Sequence, residues 1–155
     1  MAGEMPQEFM NNVLPVISDD GGVWLVVQSE GVVEHFDNDG TLVWSRTLDA
    51  PEISASLRRF IDSWRDGPED WPRSAPLPRT ARAGTVIQDE LWLLMDALEE
   101  RGSVIVVLDA ATGTPKRRLS LPLQSPAGPF ALDDARTALF LSLPEEAAVL
   151  RADLR

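Results

Sequence analysis

The chain contains no cysteine. Disulfides, thiolate nucleophiles and cysteine-ligated metal centres are therefore excluded. Histidine is almost as scarce, and His35 is the single one among 155 residues. No Gly-x-Ser-x-Gly accompanies it, so a Ser-His-Asp arrangement has no signal. No stretch nears the roughly 20 apolar residues of a spanning helix, and no membrane insertion is expected. Residues 1–9 lack a basic start and an apolar core, so no secretory signal is expected either. These absences leave the compartment open.

Positive charge is in deficit. Fourteen basic residues against 25 acidic ones give a formal net charge of −11. Such a surface repels phosphate backbones, which argues against a nucleic-acid partner. The acidity reads as a solubility device. At 155 residues with 44% hydrophobic content, one domain with a real core is expected.

What the chain does contain is a phrase stated three times. Asp20-Gly-Gly-Val-Trp-Leu-Val-Val27 is echoed by Asp89-Glu-Leu-Trp-Leu-Leu-Met95 and again by 134–143. A second apolar run follows each copy. In the first two a turn comes next, Asp37-Asn38-Asp39-Gly40 and Asp109-Ala110-Ala111-Thr112-Gly113. Self-similarity at this period marks units that bury a face against the next.

Each unit reads as antiparallel strands. In the first, strands are expected at 13–18, 23–28, 32–36 and 41–48. The near-continuous apolar run at 23–28 predicts burial on both faces, and the last strand alternates as an outer one. The second unit predicts strands at 85–88, 91–95, 104–108 and 116–121. The third predicts 129–132, 139–143 and 147–152, and lacks a fourth. Between the first two units, Asp49 with Glu52 suggests a capping box, and Pro51 suits a first helical turn. Ile53, Leu57, Phe60, Ile61 and Trp64 then fall at helical spacing, so a helix is expected at about 50–66. A proline-rich loop carrying Arg73, Arg79 and Arg82 follows. Long loops in compact domains are often functional.

The turns Leu108-Asp-Ala-Ala-Thr-Gly113 and Phe36-Asp-Asn-Asp-Gly-Thr-Leu-Val-Trp44 resemble the hairpin joining the third and fourth strands of a β-propeller blade. The chain is similar to that superfamily, particularly to six-bladed NHL/TolB-like and PQQ-like repeat propellers. Trp44, four residues past Gly40, matches the tryptophan of PQQ-like repeats, whereas Lys116-Arg117 stand where the second unit should repeat it. The resemblance implies an all-β fold of about 2.75 four-stranded blades with one inserted α-helix, forming a single partial domain over 1–155. The blades fall at 10–49 and 83–122, the insertion at 50–82 and the incomplete blade at 127–155. A closed ring needs about four to eight blades. The remainder of a larger propeller, or a homodimer of about six blades, is therefore implied.

Aligning the turns places His35 in a column with Val107 and Arg151, and Glu34 in a column with Val106 and Leu150. In a sandwiched third strand His35 is expected to be a hydrogen-bonded packing residue. Trp24, Trp92 and Phe140 share a second-strand column and are expected to pack between blades. Asp37-Asn38-Asp39-Gly40 superficially resembles a calcium loop, but Leu48 sits where that loop needs a glutamate. A plain turn is expected, no cofactor is predicted, and a divalent cation such as calcium stays a minor alternative.

The insertion is the best functional candidate. In propellers such a loop shares one face with the second-to-third-strand loops. That face gathers Trp64, Trp71, Arg65, Arg73, Arg79 and Arg82 from the insertion, opposite Asp96, Glu99, Glu100, Glu145 and Glu146. Aromatic plus arginine is the composition of interface hot spots. The bland alternative is that the helix caps the channel and the arginines pair with those acids. The expected function is a non-catalytic binding or scaffold module for a protein or small ligand. Alternatives are a lactonase-like hydrolase with a channel metal, and a structural half-propeller that assembles into a ring.

Overall fold

A computed structural model describes residues 12–67, 79–96, 102–121, 123, 127–133, 135 and 137–154. Three antiparallel sheets stack face to face. The first holds β1 (Val13–Ile17), β2 (Val23–Val27), β3 (Val32–Phe36) and β4 (Leu42–Thr47) in sequence order. Helix α1 (Pro51–Asp66) follows. The second sheet repeats the order with β5 (Ala83–Ile87), β6 (Glu90–Asp96), β7 (Ser103–Asp109) and β8 (Pro115–Leu121). The third has β9 (Phe130–Leu132), β10 (Ala138–Leu143) and β11 (Ala148–Asp153), and no fourth strand among the described residues.

The middle sheet explains why its sequence is so apolar. Leu91, Leu93, Met95, Val104, Val106 and Leu108 face the first sheet, packed with Val16, Trp24, Val26 and Val33. Trp92, Leu94, Ile105 and Val107 point the other way, onto Leu139 and Leu141 of the third sheet. Strands covered on both faces need no polar alternation. The first sheet departs from expectation here: on β2 Trp24 and Val26 are buried, while Val23, Leu25 and Val27 are only half-buried. No described element covers their face.

The two complete sheets share fine detail. Each shifts register just before the residue that precedes its turn aspartate, between His35 and Phe36 and between Val107 and Leu108. Each then turns on an aspartate. Asp37 Oδ1 accepts from the Asp39 and Thr41 amides at 3.0 and 2.8 Å. Asp109 Oδ1 accepts from the Thr112 amide and hydroxyl, both at 2.9 Å. Asp133 in the third sheet bonds the Thr137 and Ala138 amides at 2.6 and 2.8 Å. These carboxylates are spent on turns, as local Asx bonding favours. The Thr112 and Thr137 bonds, with their neighbours, hold Asp109 and Asp133 below the usual carboxylate range.

Helix α1 buries Ile53, Leu57, Phe60 and Ile61, as its spacing predicts. Its start corrects the capping-box expectation. The N-cap is Ala50, which makes no side-chain cap. Glu52 instead turns inward, almost fully buried, and pairs with Arg118 of β8. A carboxylate held against a guanidinium is better placed than one left to cap a helix end. The helix sits close on the β2–β3 turn. A Cβ on Gly31 would lie 2.4 Å from Ile53 Cγ2, and Gly31 has φ +66°, so only glycine suits.

Phe140 also departs from expectation. Its column mates Trp24 and Trp92 are 4% and 0% exposed, whereas Phe140 is 38% exposed. Each aromatic points to the sheet that follows its own. No described sheet follows the third.

Candidate functional site

The described residues that close the insertion, 79–82, lie at the end of the sheets where β2 and β6 finish. A buried glutamine fastens them there. Gln28, just past β2, accepts from the Thr80 amide, the Thr80 hydroxyl and the Ala81 amide at 2.7, 2.8 and 2.9 Å. Its Nε2 donates to the Ala81 carbonyl at 2.8 Å. One side chain thereby satisfies four backbone or hydroxyl groups of the returning loop, which burial would otherwise leave costly. Ser56 of the helix donates to the Arg79 carbonyl at 2.9 Å. Arg82 grips Asp96 with Nε and Nη2, the second contact at 3.2 Å.

The sequence-derived site divides accordingly. Trp64 is half-buried and packs against the core between the first two sheets. Arg79 is exposed beside the helix. Arg82, an arginine of the expected set, is paired with Asp96, as the bland alternative holds. Arg65 lies 3.9 Å from Asp62 on the helix surface. Trp71, Arg73, Glu99 and Glu100 fall outside the described residues.

Three features escaped the reading of residue types. Gln28 is one, and its trace in the sequence is a lone polar residue closing an apolar strand. A second is the aromatic stack of the first sheet. The His35 imidazole lies flat on Trp24, with centroids 4.2 Å apart and planes 2° off parallel, and is tilted against Trp44 at 5.7 Å. Nδ1 of His35 is buried without a hydrogen-bond partner, which corrects the expectation of a hydrogen-bonded packing residue. Burial between the indoles pushes its pKa down, against the pull of Asp37 and Asp20.

The third is a cleft of about 300 Å³ between the first two sheets. Leu48, Ala50, Pro51, Val106 and Leu108 line it, and Lys116 and Arg118 stand at its edge. Those cations are engaged. Lys116 reaches Asp89 at 3.0 Å and Asp109 at 3.3 Å, and Arg118 holds Glu52. Among the described residues no three His, Asp or Glu side chains gather as a metal site, and no helix is long and apolar enough to cross a membrane.

Three meander sheets stacked face to face recur in solved structures. Virginiamycin B lyase from Staphylococcus aureus aligns at a TM-score of 0.53 with 13% identity, over 96% of this chain and 43% of that one. The chain has a partial β-propeller fold. A second structure of that lyase, the catalytically inactive H270A form with quinupristin, aligns at 0.53 with 15% identity, over 97% of this chain and 43% of that one. The Dos1 propeller aligns at 0.39 with 10% identity, over 83% and 42%, too loosely to carry an argument. The partial propeller thus spans less than half the length of the lyase it matches. No protein-family model matches the chain, and no curated protein does.

Proposed function

We propose that this partial propeller is a binding module that recognises a protein or small ligand through the end bearing residues 51–82. The observation that carries this reading is the Gln28 clamp. Four hydrogen bonds from one buried side chain hold the base of an insertion whose sequence bears arginine and tryptophan. A rigid scaffold beneath a variable loop is the usual arrangement of binding surfaces. Trp64 at the end of the helix and exposed Arg79 belong to that surface, and Trp71, Arg73, Glu99 and Glu100 are proposed to extend it.

The test compares the immobilised wild-type chain with a Trp71→Ala, Arg73→Ala, Arg79→Ala variant of equal melting temperature in a cell lysate. Species retained by the wild type and lost from the variant support the reading. Identical retention overturns it.

Assembly into a ring is a second reading, favoured by the exposure of Phe140. A residue of the inter-sheet aromatic column stands uncovered at 38% exposure. Molar mass in solution tests it: a single-chain mass at working concentration overturns it.

A further inference from the structure

Two sheet faces lack a partner among the described residues. The first is the forward face of the third sheet. Phe140 stands there opposite Arg151, and Ser142 opposite Val149, which is 71% exposed. The second is the rear face of the first sheet. Val13 pairs with Val27, Pro15 with Leu25 and Ile17 with Val23, and Ile17 is 68% exposed. Leu25 is in turn paired with Glu34. Both faces expose large apolar side chains, Phe140 and Val149 on one and Val13 and Ile17 on the other.

Their charges are matched. The strand registers align the third strands of all three sheets, since His35, Val107 and Arg151 each sit beside the column aromatic of their own second strand. One residue earlier, Glu34, Val106 and Leu150 point to the rear. Stacked sheets set the forward column of one against the rear column of the next. Arg151, beside Phe140, stands on the open forward face, and Glu34, beside Leu25, on the open rear face. They are the two side chains of these columns with full opposite charge. Glu34 has no ion pair among the described residues, and Arg151 pairs with its strand neighbour Asp153 at 3.2 Å, with Asp133 also within its field. A carboxylate in the middle of an apolar sheet face is costly to cover unless a cation arrives with the cover.

We propose that the partner is a second copy of this chain. The forward face of the third sheet in each copy packs on the rear face of the first sheet in the other, twice about one twofold axis. Phe140 fills the place between sheets that Trp24 and Trp92 fill within the chain. Arg151 meets the partner's Glu34, and six sheets close the ring. This rests on the assembly reading and names its surfaces. The contact is head-to-tail, and only closure at two copies keeps it from running on.

Light scattering after size exclusion reads the mass of the full chain, with circular dichroism as a check of folding. A wild-type mass near twice 17.0 kDa is expected. Phe140→Glu, Glu34→Arg and Arg151→Glu each weaken the dimer at least tenfold, and the double variant Glu34→Arg, Arg151→Glu regains most of that loss. A monomeric wild type overturns the assembly reading and this interface together. A dimer indifferent to Phe140→Glu, or one in which the double swap is no better than the single ones, leaves assembly standing and overturns the interface. A ladder of species above the dimer overturns closure.

Discussion

Trp24 and Trp44 donate to the same acceptor, the carbonyl oxygen of Ala110, each from its indole nitrogen at 3.2 Å. The donors belong to the first sheet and the acceptor to the β7–β8 turn of the second. One oxygen with two lone pairs thereby pins two sheets together. His35 stacked on Trp24 and tilted toward Trp44 keeps both indoles in place.

Trp44→Phe removes one donor and keeps a ring. A loss of about 1 kcal/mol of stability is expected from one net hydrogen bond. Gly113→Ala costs more, about 1–3 kcal/mol, because φ is +69° and the new Cβ would stand 2.8 Å from the Trp44 ring. Urea midpoints of the two variants check the order.

Gln28→Leu leaves the Thr80 and Ala81 amides buried without an acceptor. A loss of roughly 2–4 kcal/mol follows from the unmet groups. Hydrogen exchange at Thr80 and Ala81 should rise more than at β6. Equal change at both would show that the clamp is not local.

His35 makes stability depend on pH in a stated direction. Burial holds its folded pKa below the ordinary value of 6.5. The unfolded chain therefore takes up the proton more readily. The contribution is complete above pH 6.5 and is lost as pH falls through the depressed folded value. Asp20, Asp109 and Asp133 are held below 3.8, so their losses come at lower pH. Denaturation midpoints at pH 7.5 and 5 should differ for the wild type, and His35→Phe should shrink that difference.

Arg118→Ala leaves Glu52 almost fully buried, with Oε1 deprived of its partner and Oε2 already without one. A cost of roughly 1–3 kcal/mol is expected, reduced from a fully buried pair because Arg118 is half exposed. Glu52→Met removes the charge instead and should cost less. Thermal melts of both variants decide which partner needs the other.

Periodicity carried most of the fold. The helix is legible in Ile53, Leu57, Phe60 and Ile61, and the strands in runs such as Leu91–Met95. The blade turns are legible because Asp37 and Asp109 do the same local bonding. Burial of one face was less legible, since the column of Trp24, Trp92 and Phe140 says which way an aromatic points but not whether a sheet waits there. Glu52 shows a second limit. Its spacing from Asp49 suits a cap, but a guanidinium 66 residues away outcompetes the helix end. Of the site, the helix and the Arg82 pairing with Asp96 were readable from type and position. Gln28 was not, because one glutamine at a strand end looks like any other polar terminus.

The two joints are unequal, and this gives the chain a grain. The first is pinned by two indole bonds to Ala110 and overlaid by the helix. At the second, Trp92 Nε1 is buried without a partner, and Arg117 stands over its ring at 4.8 Å. Heat or tension should therefore peel the chain from its C-terminal side, the third sheet leaving first as a cooperative unit. What that departure uncovers is Trp92, one column position back from Phe140. Fraying thus replaces one adhesive aromatic face by a larger one of the same design, and a partly unravelled chain stays as sticky as an intact one.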